Sequence, residues 1–301
     1  MVNVKENDTL GRESNIAMLK RERRANNIWH KLCRNKLAMI GFIIVSFMFL
    51  VAILAPVISP YDPNAIDPAN SFAGIGTPGH LLGTDDLGRD LLSRIIYGAQ
   101  ISLLVAVGAT LVGIAIGVTI GLIAGYCGGI IDSFLMRIMD GMFSFPFILL
   151  AMVLITVLGN GTMNVILAIG IANVPAFARV SRGQVLIVKE EEYCNACRVI
   201  GVSSLSLLIR HILPNASSQI IVYATLRIAS AIISEASLSF LGLGIALPTA
   251  SWGSVLRVGR DCLTTAPHIA GIAGLVILIT VIGFNLLGDG IRDVLDPKMK
   301  Q

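Results

Sequence analysis

The 301-residue sequence lacks the features of a nucleotide-hydrolysing or metal-dependent enzyme. It contains no Gly-Lys dipeptide, so the phosphate-binding loop G-x-x-x-x-G-K-[ST] is absent. Its four histidines are not paired at metal-ligand spacing, and no residues are arranged as a catalytic triad. We therefore expect no catalytic residue, no bound cofactor and no metal site in this chain. Chemical energy for its function must come from elsewhere.

Cysteine is also scarce. The five cysteines, at positions 33, 127, 194, 197 and 262, are scattered and predict no disulfide framework. Cys194 and Cys197 form a C-x-x-C, but no second pair or histidine cluster completes a metal site. We interpret them as two small residues in a packed helix, and a metal or redox role is the alternative.

Charged residues make up only 14% of the chain, whereas 54% is hydrophobic, which indicates an all-α integral membrane protein. Apolar runs of about 20 residues predict transmembrane helices. The sequence has six such runs and no internal repeat, so we expect one membrane domain with six spans, at 37–58, 99–125, 132–158, 163–183, 216–245 and 269–288.

Lysine and arginine are distributed unevenly between the two sides of these spans. With the N-terminus inside, four segments hold eighteen of the twenty-three basic residues: 1–36, 126–138, 179–215 and 289–301. The positive-inside rule therefore predicts a cytosolic tail at 1–36 and a cytosolic end at 289–301. The formal net charge of +4 follows the membrane and does not indicate nucleic-acid binding. We expect the basic tail to contact anionic lipid.

The external loop at 59–98 is long enough to have a function. Thr84 is placed to cap an interfacial helix with Asp85 and Asp86 in its first turn. Its apolar side would carry Leu87, Leu91, Leu92, Ile95 and Ile96, and its polar side Arg89, Asp90 and Arg94. This helix is either a structural lead-in to the second span or an element that touches an extracytoplasmic partner or gates the cavity.

Within the spans, small and polar residues predict specific packing. Gly113, Gly117, Gly121 and Gly125 recur every four residues and would let another helix approach closely. Pro175 in span four permits a kink and is a possible hinge. The charges Asp132, Arg137 and Asp140 in the first turns of span three favour snorkelling or pairing at the cytosolic side. Trp252, in the external segment 246–268, suits the interfacial aromatic belt.

Arg227 and Glu235 are ionisable residues inside the apolar run of span five. They are eight positions apart, which places them roughly on one face about 12 Å apart. Intramembrane charges are costly and usually face a cavity or a partner. Three roles remain open at this point: lining a translocation path, binding a second membrane subunit, or pairing with another helix of this chain.

The stretch 190–214 is the one polar, helix-competent insert between two long apolar runs. Its three glutamates suit a helix N-terminus, and Gly201 suits the left-handed residue that ends a helix. Ser203 or Ser204 would then cap a second helix that leads into the next span. The apolar residues of this second helix would lie against a membrane or a partner: Leu205, Leu208, Ile209, Ile212 and Leu213.

This stretch resembles the coupling loop of ABC importer permeases of the peptide/nickel type, through Tyr193, Ala196, Arg198, Gly201, Ser203 and R-H-I-L-P-N at 210–215. Three further blocks agree in order: G-T-D-D-L-G-R-D-L-L-S-R at 83–94, S-F-L-G-L-G at 239–244 with Trp252-Gly253, and F-N-L-L-G-D-G at 284–290 followed by D-P-K at 296–298. The resemblance implies a type I ABC importer permease fold with its core at 99–288.

The resemblance also implies how the loop works. Ala196, Cys197 and Gly201 would give close approach to an ATPase and the turn, and Glu192, Asn195 and Arg198 would supply polar contacts, with Ser203 starting the next helix. The Glu-Ala-Ala core of the family stands here as Asn195-Ala196-Cys197. The carboxylate is therefore missing from its usual place, although Glu192 lies three residues earlier and could share that helix face.

By the same resemblance, the partners are a second related permease, two cytosolic ATPases that hold ATP and Mg²⁺, and an extracytoplasmic binding protein. The chain would be a non-catalytic subunit in the cytoplasmic membrane of a bacterium. The cargo would be dipeptides, oligopeptides or glutathione, and the stretch 174–183 is similar to permeases of glutathione importers. Nickel or a metal chelate is the alternative cargo. A proton-driven secondary transporter and a non-transporting scaffold are the rival functions.

Overall fold

The computed structural model describes residues 33–295, so the basic residues before Cys33 and the block at 296–298 lie outside the described residues. Within this range the fold is helical, as predicted, with no strand beyond two isolated bridges. The helices are α1 (Lys36–Ile58), α2 (Leu91–Cys127), α3 (Gly129–Phe143), α4 (Phe147–Leu158), α5 (Thr162–Val188), α6 (Glu192–Val199), α7 (Ser204–Phe240), α8 (Trp252–Asp261) and α9 (Pro267–Leu295).

Five described helices are long and apolar enough to cross a membrane, namely α1, α2, α5, α7 and α9. The predicted third span, 132–158, is not one helix. It is the pair α3 and α4, bent by 91° at a break between Phe143 and Phe147. Pro146 explains the break, because it lacks a backbone N–H and disfavours helical backbone in the residue before it. Counted as one span, the pair completes the predicted six.

The glycine ladder of α2 lies against α5. A Cβ at Gly113 would stand 3.0 Å from Phe177, one at Gly117 would stand 2.6 Å from the Val174 carbonyl oxygen, and one at Gly125 would stand 2.9 Å from Val185. The predicted close approach is confirmed. The residue numbers of the contacting pairs increase together along α2 and α5, so the two helices run parallel. The pair α3 and α4 returns the chain between them.

The other helices complete the bundle around this pair. α1 packs antiparallel on α9, where a Cβ at Gly41 would lie 2.7 Å from the Gly283 carbonyl oxygen. α7 contacts both α2 and α9. We call the end that carries α6 and the C-termini of α2 and α5 the α6 end, and the end that carries α8 and the segment 59–90 the α8 end.

Two ion pairs, one near each end of α3, fix this helix to α5. Arg182 donates two hydrogen bonds of 2.6 Å to Asp132, and Arg179 donates one of 2.6 Å to Asp140. Arg137 is exposed and forms no ion pair with residues 33–295. Both aspartates are therefore paired with arginines, which is one of the two outcomes predicted for this cluster.

The prediction of an interfacial helix capped by Thr84 is wrong. Residues 84–90 are irregular, and α2 begins only at Leu91, with Asp90 as its N-cap accepting a 2.8 Å hydrogen bond from the Ser93 N–H. The predicted solvated side is buried: Arg94 is 1% exposed, and Arg89 and Asp90 are equally enclosed.

Asp85 is the reason for this burial. Its carboxylate accepts a 2.6 Å hydrogen bond from Arg89 Nε and lies 3.6 Å from Arg94 Nε. Arg94 also donates a 2.9 Å hydrogen bond to the Pro63 carbonyl oxygen. Two arginines can be buried together only where a counter-charge and carbonyl groups replace water. Local helix signals cannot reveal such a cluster, because Pro63 is 31 residues from Arg94.

Trp252 does not lie in an interfacial belt as predicted. It is fully buried at the α8 end, and its indole N–H donates a 3.1 Å hydrogen bond to the Ile95 carbonyl oxygen. The predicted fifth span, 216–245, is also displaced. α7 begins at Ser204 and ends at Phe240, because the second helix of the 190–214 stretch continues through a π-helical turn, Leu208–Ile212, into the span.

Gly121→Ala is expected to destabilise the bundle by about 1–3 kcal/mol, as overpacked interiors do. The new Cβ would overlap Ser181 Oγ and the Ala178 carbonyl oxygen and lie 2.9 Å from the Arg182 backbone nitrogen. Gly183→Ala on α5 is the matched control, since its Cβ meets nothing within 4 Å. Thermal unfolding of the purified protein in detergent measures both. Equal unfolding temperatures for the two variants would contradict the close packing of α2 on α5.

Candidate functional site

α6 and the turn after it have the geometry expected of a closed helix end. Gly201 adopts left-handed backbone, with φ +82°. Its N–H donates a 3.1 Å hydrogen bond to the Arg198 carbonyl, and the Val202 N–H donates one of 3.0 Å to the Cys197 carbonyl. These two bonds form a Schellman motif, which confirms the predicted role of Gly201 in the turn. Ser203 occupies the predicted cap position before α7, without a side-chain capping hydrogen bond.

One side of α6 is anchored to the spans. Cys194 is fully buried among Val185, Val188, Leu207 and Ile212, and its thiol donates a 3.3 Å hydrogen bond to the Val188 carbonyl oxygen. This burial agrees with the interpretation of Cys194 as a small residue in a packed helix. α6 is therefore continuous, through apolar contacts, with the end of α5 and the start of α7.

A second tether joins this loop to α2. The Lys189 ammonium group donates a 2.9 Å hydrogen bond to the Gly125 carbonyl oxygen, in the last turn of α2. A cation at a helix C-terminus is favourable, because the last carbonyl groups of the helix carry partial negative charge. Lys189 was not among the predicted site residues, although its position directly after α5 could have indicated a contact at this end of the bundle.

The other side of α6 is exposed. Of the residues predicted to couple to an ATPase, the exposed ones are Glu192, Asn195, Ala196, Arg198, Gly201 and Ser203, whereas Cys197 is partly buried. Arg198 donates a 3.0 Å hydrogen bond to the Asn195 side-chain oxygen. Two apolar residues that the sequence analysis did not single out stand beside them, Val199 at 87% and Ile200 at 77% exposure. The exposed surface thus combines polar groups with uncovered apolar side chains.

Tyr193 connects α6 to α7. Its hydroxyl accepts a 3.0 Å hydrogen bond from the Asn215 amide, just after the π-helical turn of α7. Desolvation raises the pKa of Tyr193, and the neighbouring Cys194 raises it further, so its hydroxyl stays protonated at neutral pH.

The apolar residues at the beginning of α7 do not share one environment. Leu205 and Ile209 are exposed, but Ile212 is buried against the spans. The predicted apolar face is therefore divided between an outward side and the bundle.

Glu235 is enclosed within this chain. Its side chain is fully buried and accepts hydrogen bonds from Ser102 (3.2 Å), Ser239 (2.9 Å) and Ser251 (3.0 Å). The Ser102 hydroxyl also accepts a 3.1 Å hydrogen bond from the backbone N–H of Trp252. This network joins α2, α7 and the start of α8, and its closed position favours a structural role for Glu235 over contact with cargo.

Arg227 is in a different environment. It is partly exposed, and its guanidinium Nε donates a 2.7 Å hydrogen bond to the Tyr223 hydroxyl, one turn earlier on α7. The guanidinium carbon also lies 4.7 Å from the centre of the Tyr223 ring. The structure does not pair Arg227 with Glu235, although the sequence spacing placed them roughly on one face.

Pro175 is buried within α5, which continues through it from Thr162 to Val188. Asn173, two residues earlier, donates a 3.1 Å hydrogen bond to the Ile169 carbonyl oxygen. The hinge role of Pro175 stays a prediction. Among residues 33–295, no cluster of three or more His, Cys, Asp or Glu side chains has the arrangement of a metal site.

Two family models match the chain. Residues 117–301 match the family described as "Binding-protein-dependent transport system inner membrane component". Residues 25–74 match the "N-terminal TM domain of oligopeptide transport permease C". The second match covers α1 and the beginning of the 59–90 segment, and the first covers most of the remaining helices.

Curated relatives are similar over nearly the whole length. Proteins named "Glutathione transport system permease protein GsiD" from Escherichia coli O6:K15:H31 (strain 536 / UPEC), Shigella boydii serotype 4 (strain Sb227) and Shigella sonnei (strain Ss046) are each 47% identical over 276 residues. The alignment covers 91% of this chain and 91% of each relative.

Glu235→Ala is expected to destabilise the protein by about 2–5 kcal/mol, because it removes the acceptor of three buried hydroxyl groups and leaves a cavity. Glu235→Gln keeps an acceptor oxygen and the volume, so its loss should stay below about 1.5 kcal/mol. Thermal unfolding in detergent compares the variants. Wild-type stability of Glu235→Ala together with lost transport would assign Glu235 to the transport step instead.

Proposed function

Since the chain belongs to the family of binding-protein-dependent transport system inner membrane components, we propose that it is the transmembrane permease subunit of an ATP-driven importer for glutathione or other short peptides. The observation that carries the cargo class is the 47% identity, over 91% of the chain, to glutathione transport permeases. The geometry of α6 supports the mechanism, because a short, tethered helix with one exposed side suits contact with a moving partner.

The complex that we propose contains a second related permease, two cytosolic ATPases and an extracytoplasmic binding protein. This chain is the non-catalytic part: it has no phosphate-binding loop, and ATP and Mg²⁺ would be held by the ATPases. The distribution of basic residues supports a cytosolic α6 end, with the N- and C-termini on the cytosolic side of the cytoplasmic membrane. The α8 end then faces the binding protein.

In the coupling step, closure of the ATPases displaces α6, and the displacement passes to the spans. Two connections support this route. The buried cluster around Cys194 attaches α6 to α5 and α7, and Lys189 attaches the same segment to the last turn of α2. Because packed helices resist deformation, a shift of α6 moves these helices together and changes access to the path.

Contacts to the ATPase are supplied by the exposed side of α6. Val199 and Ile200 would be covered by an apolar groove, and Glu192 and Arg198 would form polar contacts at its edge. Asn195 cannot replace the family's glutamate as an anion, and its side-chain oxygen already accepts from Arg198. Glu192 therefore carries the negative charge on this side of α6.

ATP hydrolysis by the reconstituted complex tests the function. We expect hydrolysis to rise several-fold when the binding protein is loaded with glutathione, since cargo-loaded binding protein is what triggers closure. Dipeptides, longer peptides and a nickel chelate are the comparison cargoes. Stimulation by nickel chelate alone would overturn the peptide assignment. ATP-independent uptake that follows the proton gradient would overturn the importer class.

Gly201→Val is expected to uncouple hydrolysis from uptake without preventing membrane insertion. A β-branched residue resists left-handed backbone by about 1–2 kcal/mol, which would displace the end of α6 in most molecules and lower uptake about tenfold. Gly201→Asn is the matched control, because asparagine tolerates this conformation. Uptake per ATP in proteoliposomes is the readout. Full uptake by the valine variant would exclude the turn from coupling.

A further inference from the structure

One side of α7 is polar along much of its length. At 100° per residue, six side chains fall within a sector of about 80°: Gln219, Tyr223, Arg227, Ser230, Ser234 and Ser237. All but Ser234 are at least partly exposed. Glu235 points about 80° away from Arg227, into the enclosed network. The three serines each donate a hydrogen bond to the carbonyl oxygen of the residue four positions earlier, so they have partners within α7. The charge of Arg227 has no such alternative, and a charge on a spanning helix faces water or protein because lipid does not solvate it.

Arg227 is the one charge of this polar sector and lies about midway along its length, between Gln219 and Ser237. Tyr223, which holds it, packs edge-on against Phe177 with ring centres 5.2 Å apart, and Phe177 lies beside Gly113 and Gly117 in the middle of α2. Ten residues separate Gly117 from the end of α2, so Phe177 and the Tyr223 ring packed against it lie roughly 15 Å from the α6 end. This depth is about half of a 30 Å hydrocarbon core, and the Arg227 guanidinium lies over that ring.

The charge of Arg227 is not neutralised by the described part of the chain. No carboxylate of residues 33–295 lies within 4.0 Å of the guanidinium. Tyr223 accepts hydrogen bonds from Nε and Nη2, and Nη1 has no hydrogen bond to these residues. By contrast, Arg179 and Arg182 each have an aspartate partner. A mid-membrane arginine with a free nitrogen is therefore available to an anion from outside the chain.

We propose that Arg227, oriented by Tyr223, is a carboxylate-binding position in the translocation path. This inference rests on the proposed function, because it takes the cargo to be a peptide or glutathione, each of which carries at least one carboxylate. Arginine binds carboxylates through parallel N–H donors, and the Tyr223 hydroxyl, which accepts from the guanidinium, still has its own proton to donate.

A carboxylate of the second permease is the other anion that could meet Arg227. The polar sector argues for the cargo. An ion pair between two subunits needs one charge at one level, whereas here hydroxyl and amide groups continue on both sides of Arg227, from Gln219 to Ser237. A row of small polar groups suits a hydrated path along which a charged solute moves and is held weakly enough to leave.

The test uses the complete complex in proteoliposomes, with the binding protein loaded with glutathione. Arg227→Gln should lower uptake per ATP about tenfold, the loss expected for one charge-assisted contact, while stimulated ATP hydrolysis continues. Arg227→Lys keeps the positive charge and should restore most of the uptake. Arg137→Gln is the matched control, since it also removes an arginine without an ion pair to the described residues, and it should import normally.

Thermal stability and pair formation are measured on the same variants. Arg227→Gln should not lower the unfolding temperature, because it removes an unneutralised charge from the span. Normal uptake by Arg227→Gln would overturn the inference, and so would dissociation of the two permeases, which would assign Arg227 to their interface. Absence of ATP-driven uptake in the wild-type complex would instead contradict the proposed function itself.

Discussion

The parallel contact between α2 and α5 is the constraint on which the rest of the structure depends. Glycines on α2 bring the two backbones close enough that a Cβ at Gly117 would lie 2.6 Å from a carbonyl oxygen of α5. Because the two helices run in the same direction, the chain must cross back between them, and it does so through the bent pair α3 and α4. Both helices then end beside each other, and α6 follows directly on that shared end. The position of the exposed turn is thus set by small residues deep in the bundle.

Features that depend on neighbouring residues could be predicted from the sequence, and those that depend on distant partners could not. The apolar runs, the glycine ladder and the left-handed Gly201 are local, and the structure has all three. The helix expected from Thr84 is absent because Asp85 pairs with Arg94, whose other partners, Pro63 and Pro248, are 31 and 154 residues away along the chain. Trp252 is buried beside Ile95, 157 residues away along the chain, and its indole N–H donates a hydrogen bond to the Ile95 carbonyl oxygen. The residue pattern within a short stretch of sequence cannot predict contacts between such distant residues.

Glu235 and Arg227 show why spacing alone could not assign the intramembrane charges. Eight residues amount to a rotation of about 80°, which is enough to separate the inside of the bundle from its exposed side. Glu235 meets three serine hydroxyls, so its cost of burial is offset within the chain. Arg227 meets one tyrosine and no carboxylate among the described residues, so its cost is offset elsewhere. The same sequence signal therefore marks a structural residue in one case and, as we propose, a functional residue in the other.

The two sides of α6 divide its task in a similar way. The anchored side buries Cys194 and is completed by residues of this chain, whereas Val199 and Ile200 on the other side are left uncovered. Adjacent exposed apolar side chains of this size are typical of a surface that a partner covers. In the coupling step that we propose, the uncovered side would bind the ATPase, and the anchored side would pass its displacement to the spans. α6 and the residue that follows it, Ile200, provide both features.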